Sequence, residues 1–192
     1  MFNLIKNQDN KPLLTRYKRR LSLAGAQKKF ALTVKDDKFY LPDFKNPTTH
    51  IIKPDNPEFP ELIYNEDFCM KLAKSIGLDV PETKIKTIDN VSFLIVKRFD
   101  RMRFKEGFKK LHQEDFCQAT GTVSFKKYQK EGGPSFKNCY DIVRNHSKLA
   151  AKDSISLIKW LVFNVFISNQ DAHAKNISLI HDSKGEVSLA PF

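Results

Sequence analysis

Glycine and proline are scarce, seven and nine among 192 residues, which excludes collagen-like repeats and a largely disordered chain. Cysteine is scarcer. Cys69, Cys117 and Cys139 lie 48 and 22 positions apart, a spacing that fits neither a paired zinc knuckle nor an even disulfide framework and implies a reducing compartment. Long apolar runs are also missing. The most apolar stretch, Ile155 to Ile167, is 13 residues interrupted by Lys159 and Asn164, whereas a membrane span needs about 20; a buried core helix is expected there. The N-terminal MFNLIKNQDNK lacks the apolar run of roughly 7 to 15 residues that a secretory signal needs, so the expected location is the cytoplasm, with no membrane partner. His50, His112, His146, His173 and His181 are scattered without metal-ligand spacing, and no zinc site is expected. With no Gly-x-Ser-x-Gly elbow and no Cys/His nucleophile pair, covalent hydrolase chemistry has no support.

What the chain does have is core-forming material and positive charge. Forty-one percent of positions are hydrophobic and 16 residues are Phe, enough for a globular core in one domain or in two lobes of roughly 90 residues each. Lys and Arg number 33 against 22 Asp and Glu, a formal charge of +11 that attracts nucleic acid, nucleotide phosphates or acidic protein faces alike. Between Lys11 and Phe30 there are seven basic residues and no acidic one.

Phe30 to Val34 and Phe39 to Leu41 read as a hairpin about the polar turn Lys35 to Lys38, followed by a strand at His50 to Lys53. Asn65 is expected to cap a helix running to Ser75 or Ile76, with Phe68, Leu72 and Ile76 on its apolar face and Gly77 closing it. Lys84 to Ile88 and Phe93 to Val96 form a second hairpin about Asp89-Asn90. After Phe99 extended runs become scarce, and Gln113 to Ala119, Tyr140 to Asn145 and Ser154 to Ser168 read as helices. A last hairpin pairs Ile177 to Ile180 with Val187 to Leu189. A boundary is expected near residues 99 to 105.

Ser168 to Asn176 (SNQDAHAKN) crowds polar groups between the apolar helix and a hairpin strand. Phosphoryl transfer needs a carboxylate to orient the attacking hydroxyl and a neutral oxygen ligand for Mg²⁺, which kinases supply as Asp and an Asn five residues on. Asp171 and Asn176 have that separation. Spacing alone leaves open a capped loop in which Asp171 binds backbone donors and His173 packs. Likewise Leu21 to Lys29 (LSLAGAQKK) could approach phosphate through backbone N–H groups or be an ordinary turn. Lys53, followed by Glu66 on the next helix, has the order of the kinase phosphate-binding lysine and its glutamate, an order that unrelated surface residues would also give. Val96 to Asp100 stands where a kinase hinge would, and a plain strand end would look the same.

Read as an ordered whole, SLAGAQKK, TTHIIKP, FPELIYNEDFCMKLAKSIGLDVPE, VKRFDR, LHQEDFCQATG, KYQKEGGPSF and SNQDAHAKNISL resemble the HipA family of bacterial serine/threonine kinase toxins, collinearly from about residue 20 onward. The resemblance implies an α+β, two-lobed protein-kinase-like fold. Residues 1–20 would be a basic N-terminal segment, 21–100 a β-rich N-lobe, and 101–192 an incomplete helical C-lobe. It further implies ATP and Mg²⁺ as cofactors, Asp171 as catalytic base and Asn176 as metal ligand. Ser22, Leu23, Ala24, Gly25, Lys29, Lys53, Lys97, Phe99, His173, Lys175 and Asn176 would bind the nucleotide, and Ser22 would be autophosphorylated. Implied partners are a protein substrate, typically an aminoacyl-tRNA synthetase, and a HipB-like antitoxin through which DNA is reached indirectly. The resemblance starts at the kinase core, without the family's extra N-terminal subdomain, which resembles split forms where a separate HipS-like protein supplies it; a fragment of a longer product, a lobe completed by another chain and a truncated gene product are the alternatives. The sequence stops at Ala190-Pro191-Phe192, where the family pattern continues with Tyr and a metal-binding Asp, so little or no turnover is expected of these 192 residues alone, and Ile155, Leu161, Val162 and Phe166, on the helix face that the family's remaining helices would cover, are expected to face water. The competing reading is a noncatalytic basic module that binds an antitoxin or nucleic acid.

Overall fold

The structure, a computed structural model, describes residues 28–36, 38–43, 47–104 and 107–192. Expectations for the basic segment 1–20 and for Ser22, Leu23, Ala24 and Gly25 lie outside the described residues. The chain divides into two compact units, Met1–Phe68 with Glu82–Arg98 and Arg103–Phe108, and Cys69–Pro81 with Phe99–Met102 and Lys109–Phe192.

In the first unit, five strands among the described residues form an antiparallel sheet: β1 (Phe30–Lys35), β2 (Lys38–Tyr40), β3 (His50–Pro54), β4 (Thr83–Ile88) and β5 (Val91–Lys97), in the order β2-β1-β3-β5-β4. Asp89 and Asn90 turn β4 into β5 with φ of 48° and 62°, the paired left-handed conformation that a two-residue hairpin needs and that these side chains tolerate. Register explains the core. Ile52 pairs with Phe30 on one side and Ile95 on the other, so alternation gathers Leu32, Ile52, Phe93 and Ile95 on one face. Lys53, one step along and paired with Leu94, points to the opposite face.

Helix α1 (Leu62–Ser75) departs from expectation at its start and in its buried face. It begins three residues before Asn65, because Glu61 takes a left-handed φ of 66° and its carbonyl accepts the Tyr64 and Asn65 amides. Phe68, Leu72 and Ile76 are exposed, whereas Ile63, Asp67 and Ala73 are buried. Asp67 tolerates burial by accepting a 2.6 Å hydrogen bond from Thr83. Gly77, at φ 81°, closes the helix as expected, with Leu78 N–H donating to Ala73 and Gly77 N–H to Lys74.

Strands continue past Phe99, contrary to expectation: β6 (Arg101–Phe104) and β7 (Gly107–Lys110) form a two-stranded sheet, and β8 (His112–Asp115) follows. The signal is weak in sequence because Met102, Phe104 and Phe108 are exposed, leaving no buried face to impose alternation. The expected helix over Gln113 to Ala119 is therefore only α2 (Phe116–Ala119). Asp115 stops the strand and starts the helix through a reciprocal capping box with Gln118.

The second unit then carries α3 (Phe136–His146), α4 (Ala150–Phe166), β9 (Ser178–His181) and β10 (Val187–Leu189). β10, β9 and β8 form an antiparallel sheet in that order. Its core joins Phe116, Cys117, Cys139, Val143, Leu157, Ala174, Ile177 and Leu179, and Trp160 stacks on Phe192 at 5.7 Å. Burial pushes the Cys139 thiol up to about 12, so it packs as a small hydrophobe. Helix α4 is not a core helix buried throughout, and Ile155, Val162 and Phe166 are exposed as expected of the face that the family's remaining helices would cover. Its buried positions are Asp153, Ser154, Leu157 and Asn164, while Ile155, Ile158, Val162, Val165 and Phe166 are exposed. The buried polar groups are satisfied: Asp153 Oδ2 accepts from Ser147 Oγ at 2.5 Å and from Leu189 N–H at 2.8 Å. Among the described residues no helix is long and apolar enough to cross a membrane.

Candidate active site

The loop carrying Asp171 is built by the way α4 ends. Ser168 adopts φ 54° and donates its N–H to Val165, while Asn169 N–H reaches back to Asn164; this double closure reverses the chain direction. Buried Asn164 holds the turn through its side chain as well, its Oδ1 accepting from Asn169 Nδ2 at 2.7 Å and its Nδ2 donating to the Trp160 carbonyl at 2.8 Å. Asn169 Oδ1 in turn accepts the Asp171 N–H at 3.1 Å. A hydrogen-bonded chain thus runs from the helix interior to the backbone of Asp171. Further on, buried Ala174 and Ile177 anchor the loop in the core, and their carbonyls both face the Phe116 N–H at the start of α2. Lys175 and Asn176, between the anchors, are left exposed.

Asp171 is 68% exposed in its side chain, yet its carboxylate is surrounded by donors. Tyr128 donates its phenolic proton to Oδ1, Lys127 Nζ stands 3.6 Å away, and His173 Nε2 is at 3.5 Å. The Tyr128 hydrogen bond holds the carboxyl below its usual range, against a smaller opposing effect of partial burial. Burial, aided by the charge of Lys127, pushes the His173 imidazole down against the raising effect of Asp171, which favours the neutral ring. Tyr128 meets His173 edge to face at 5.1 Å and has the ammonium groups of Lys127 and Lys130 over its ring at 4.8 and 5.6 Å.

Tyr128 and Lys127 were not picked out as site residues by sequence reasoning. A signal was present in the adjacent Gly132-Gly133. Gly132 has φ 84°, and a Cβ on Gly133 would lie 2.3 Å from the Lys126 carbonyl oxygen and 2.8 Å from that of Tyr128. Only glycine permits this approach, which brings the segment Lys126 to Tyr128 close enough for the Gly133 N–H to donate to Tyr128 O at 2.9 Å.

In the first unit Lys53 forms an ion pair with Glu66 of α1, the side chains 19% and 30% exposed. The two residue types that sequence order alone could not connect are thereby in contact. Lys29 shares their surroundings: burial lowers its ammonium pKa, Lys53 lowers it further, and Glu66 opposes both. Two lysines thus lie within electrostatic reach of one carboxylate, a local excess of positive charge that favours an anion. Lys97 is instead paired with Glu82 at 3.0 Å on an exposed surface. Phe99, half-buried, and Asp100 lead into a buried contact in which Arg101 Nη1 meets Asp100 Oδ2 at 2.6 Å. Asn176 places an exposed amide oxygen, suited to a hard cation such as Mg²⁺, on the same loop as the Asp171 carboxylate.

A strand-borne lysine paired to a helix glutamate, and a carboxylate on a loop after a long helix, are features of a protein-kinase-like fold. The Helicobacter pylori proinflammatory kinase CtkA has this fold, with a TM-score of 0.64 at 18% identity over 89% of this chain and 54% of its own. Residues 21–192 match the HipA-like C-terminal domain, and the chain belongs to that family. It is 44% identical over 167 residues to Y4mE of Sinorhizobium fredii and 31% identical over 182 residues to the serine/threonine-protein kinase toxin HipA of Shewanella oneidensis. It spans 86% and 88% of itself but only 40% and 41% of those relatives. The structure of Shewanella oneidensis HipA in complex with HipB and operator DNA matches with a TM-score of 0.81 at 27% identity, covering 100% of this chain and 47% of that one.

Proposed function

We propose that this protein is the core of a HipA-like serine/threonine protein kinase that moves the γ-phosphoryl group of ATP to a protein hydroxyl. The observation that carries the reading is the Lys53–Glu66 ion pair, since it holds a cation on β3 in the way a phosphate-binding lysine must be held. In this reading residues 21–100 form the N-lobe and 101–192 the C-lobe. Asp171 accepts the hydroxyl proton, its carboxylate kept ionised by Tyr128 and oriented through Asn169. Lys53 and Lys29 hold phosphate oxygens. Asn176 offers an oxygen to Mg²⁺, which when bound neutralises charge on the phosphates. Ser22, Leu23, Ala24 and Gly25 complete the phosphate loop, Lys97 and Phe99 border the nucleotide, and His173 and Lys175 flank the transferring group. Ser22 is the autophosphorylated position.

The substrate in this reading is a protein, with an aminoacyl-tRNA synthetase as first candidate, and the setting is a cytoplasmic toxin-antitoxin system. The relative solved with HipB and operator DNA supports a HipB-like partner. The test is Mg²⁺-dependent transfer from radiolabelled ATP, with Asp171→Asn and Lys53→Met beside wild type, in this chain and in a form extended to the length of its relatives. Asp171→Asn should abolish transfer while leaving ATP bound, and Lys53→Met should weaken ATP binding. Mass spectrometry of the active form should find phosphate on Ser22. Salt-dependent polyanion binding without ATP affinity would instead favour a noncatalytic basic module.

A further inference from the structure

Three groups that the kinase reading leaves unused meet on the sheet of the second unit. In the β8–β9 register His112 stands opposite His181 and Glu114 opposite Leu179, so the two-residue period puts His112, Glu114 and His181 on one face. One ligand atom from each lies within 4.8 Å of the others. His181 Nε2 is 2.8 Å from Glu114 Oε1, and the two imidazole rings are 4.8 Å apart. The absence of metal-ligand spacing in the sequence is thus no guide here, because strand pairing brings together histidines 69 positions apart.

Two imidazole nitrogens and a carboxylate oxygen are the donor set of zinc-class ions, whereas Mg²⁺ and Ca²⁺ take oxygens. Ligands about 2.0–2.2 Å from a tetrahedral ion sit roughly 3.3–3.5 Å from one another. The three atoms therefore need only side-chain rotation of an ångström or so to close on an ion, on a backbone held by the strand ladder. Three protein ligands leave a fourth position for water. We propose that His112, Glu114 and His181 form a divalent transition-metal site of the zinc class that clamps β8 to β9. Because β8 runs directly into α2 and β9 starts at Ser178, two residues after Asn176, the clamp would brace both supports of the Asp171 loop.

The test uses Zn²⁺ alone, without nucleotide, titrated calorimetrically into the EDTA-treated chain, with Co²⁺ as a visible-absorption probe. One equivalent should bind, Co²⁺ should show the intense bands of a four- or five-coordinate ion, and Zn²⁺ should raise the unfolding temperature. His112→Gln, which alters an exposed side chain, should weaken binding at least as much as the about 10- to 100-fold that loss of an outer-shell partner costs, and should remove the thermal shift. The near-isosteric Glu114→Gln gives a second reading if His181→Gln perturbs the fold, and His146→Gln should bind as wild type does. Failure to bind one equivalent, or binding that survives His112→Gln and Glu114→Gln or is lost in His146→Gln, overturns the proposal.

Discussion

The phenol of Tyr128 donates its proton to Oδ1 of Asp171 across 43 positions of sequence. This one contact orients an otherwise exposed carboxylate and favours its charged form, the two properties that a base acting on a hydroxyl needs.

Tyr128→Phe should therefore raise the pKa of Asp171 toward the ordinary value of about 3.9. The sign follows from the depressed folded value: the charged form is favoured above the unfolded pKa, and that advantage is lost as pH falls through the folded one. Carboxyl NMR across an acid titration reads the change directly, and the acid limb of any transfer activity should move to higher pH. An Asp171 titration unchanged in Tyr128→Phe would show that the phenol does not govern it.

The Lys29, Lys53 and Glu66 cluster predicts opposite effects of two substitutions on one amine. Glu66→Gln removes the group that holds the Lys29 pKa up, and Lys53→Met removes one that holds it down. Competitive labelling with an amine-reactive reagent near pH 8, read by mass spectrometry, should find Lys29 more reactive in the first variant and less in the second. Equal reactivity in both would mean that the three side chains do not share an electrostatic environment.

Gly133→Ala should be disruptive although it adds one methyl group. The new Cβ meets backbone carbonyl oxygens at 2.3 and 2.8 Å, which cannot rotate away, so the Lys126 to Tyr128 segment must shift at a cost of about 1–3 kcal/mol. Urea unfolding should show that loss, and the Asp171 pKa should rise with it as Tyr128 is displaced. Wild-type stability in this variant would contradict the close approach.

The outer face of α4 carries Val165 and Phe166 at 70% and 83% exposure, large apolar side chains left in water. Val165→Gln with Phe166→Gln should reduce hydrophobic-dye binding and self-association, while stability stays within about 0.5 kcal/mol of wild type. Unfolding of the double variant at markedly lower urea would show that these side chains are structural.

Much of the fold before Phe99 was legible in sequence because its signals are local. Asp89-Asn90 between alternating apolar runs dictates a hairpin, Gly77 a helix end, and the Ile52 alternation a buried face; each depends on neighbours a few positions away. The same local logic failed where burial chose against composition. Phe68, Leu72 and Ile76 make the more apolar stripe, yet Ile63, Asp67 and Ala73 are the buried residues, Asp67 with its carboxylate satisfied by Thr83, and α4 buries Asp153 and Asn164, which are likewise hydrogen-bonded.

The residue types and order of Lys53, Glu66, Asp171 and Asn176 could be read from the sequence, and the family from the resemblance of seven collinear segments. Which of those side chains touch was a matter of register and loop closure. Lys53 meets Glu66 because β3 alternation turns it toward α1. Tyr128 reaches Asp171 because Gly133 lets two backbones approach, and His112 reaches His181 because β8 pairs with β9. Contacts between residues tens of positions apart depend on how strands pair and chains cross, which no local pattern encodes.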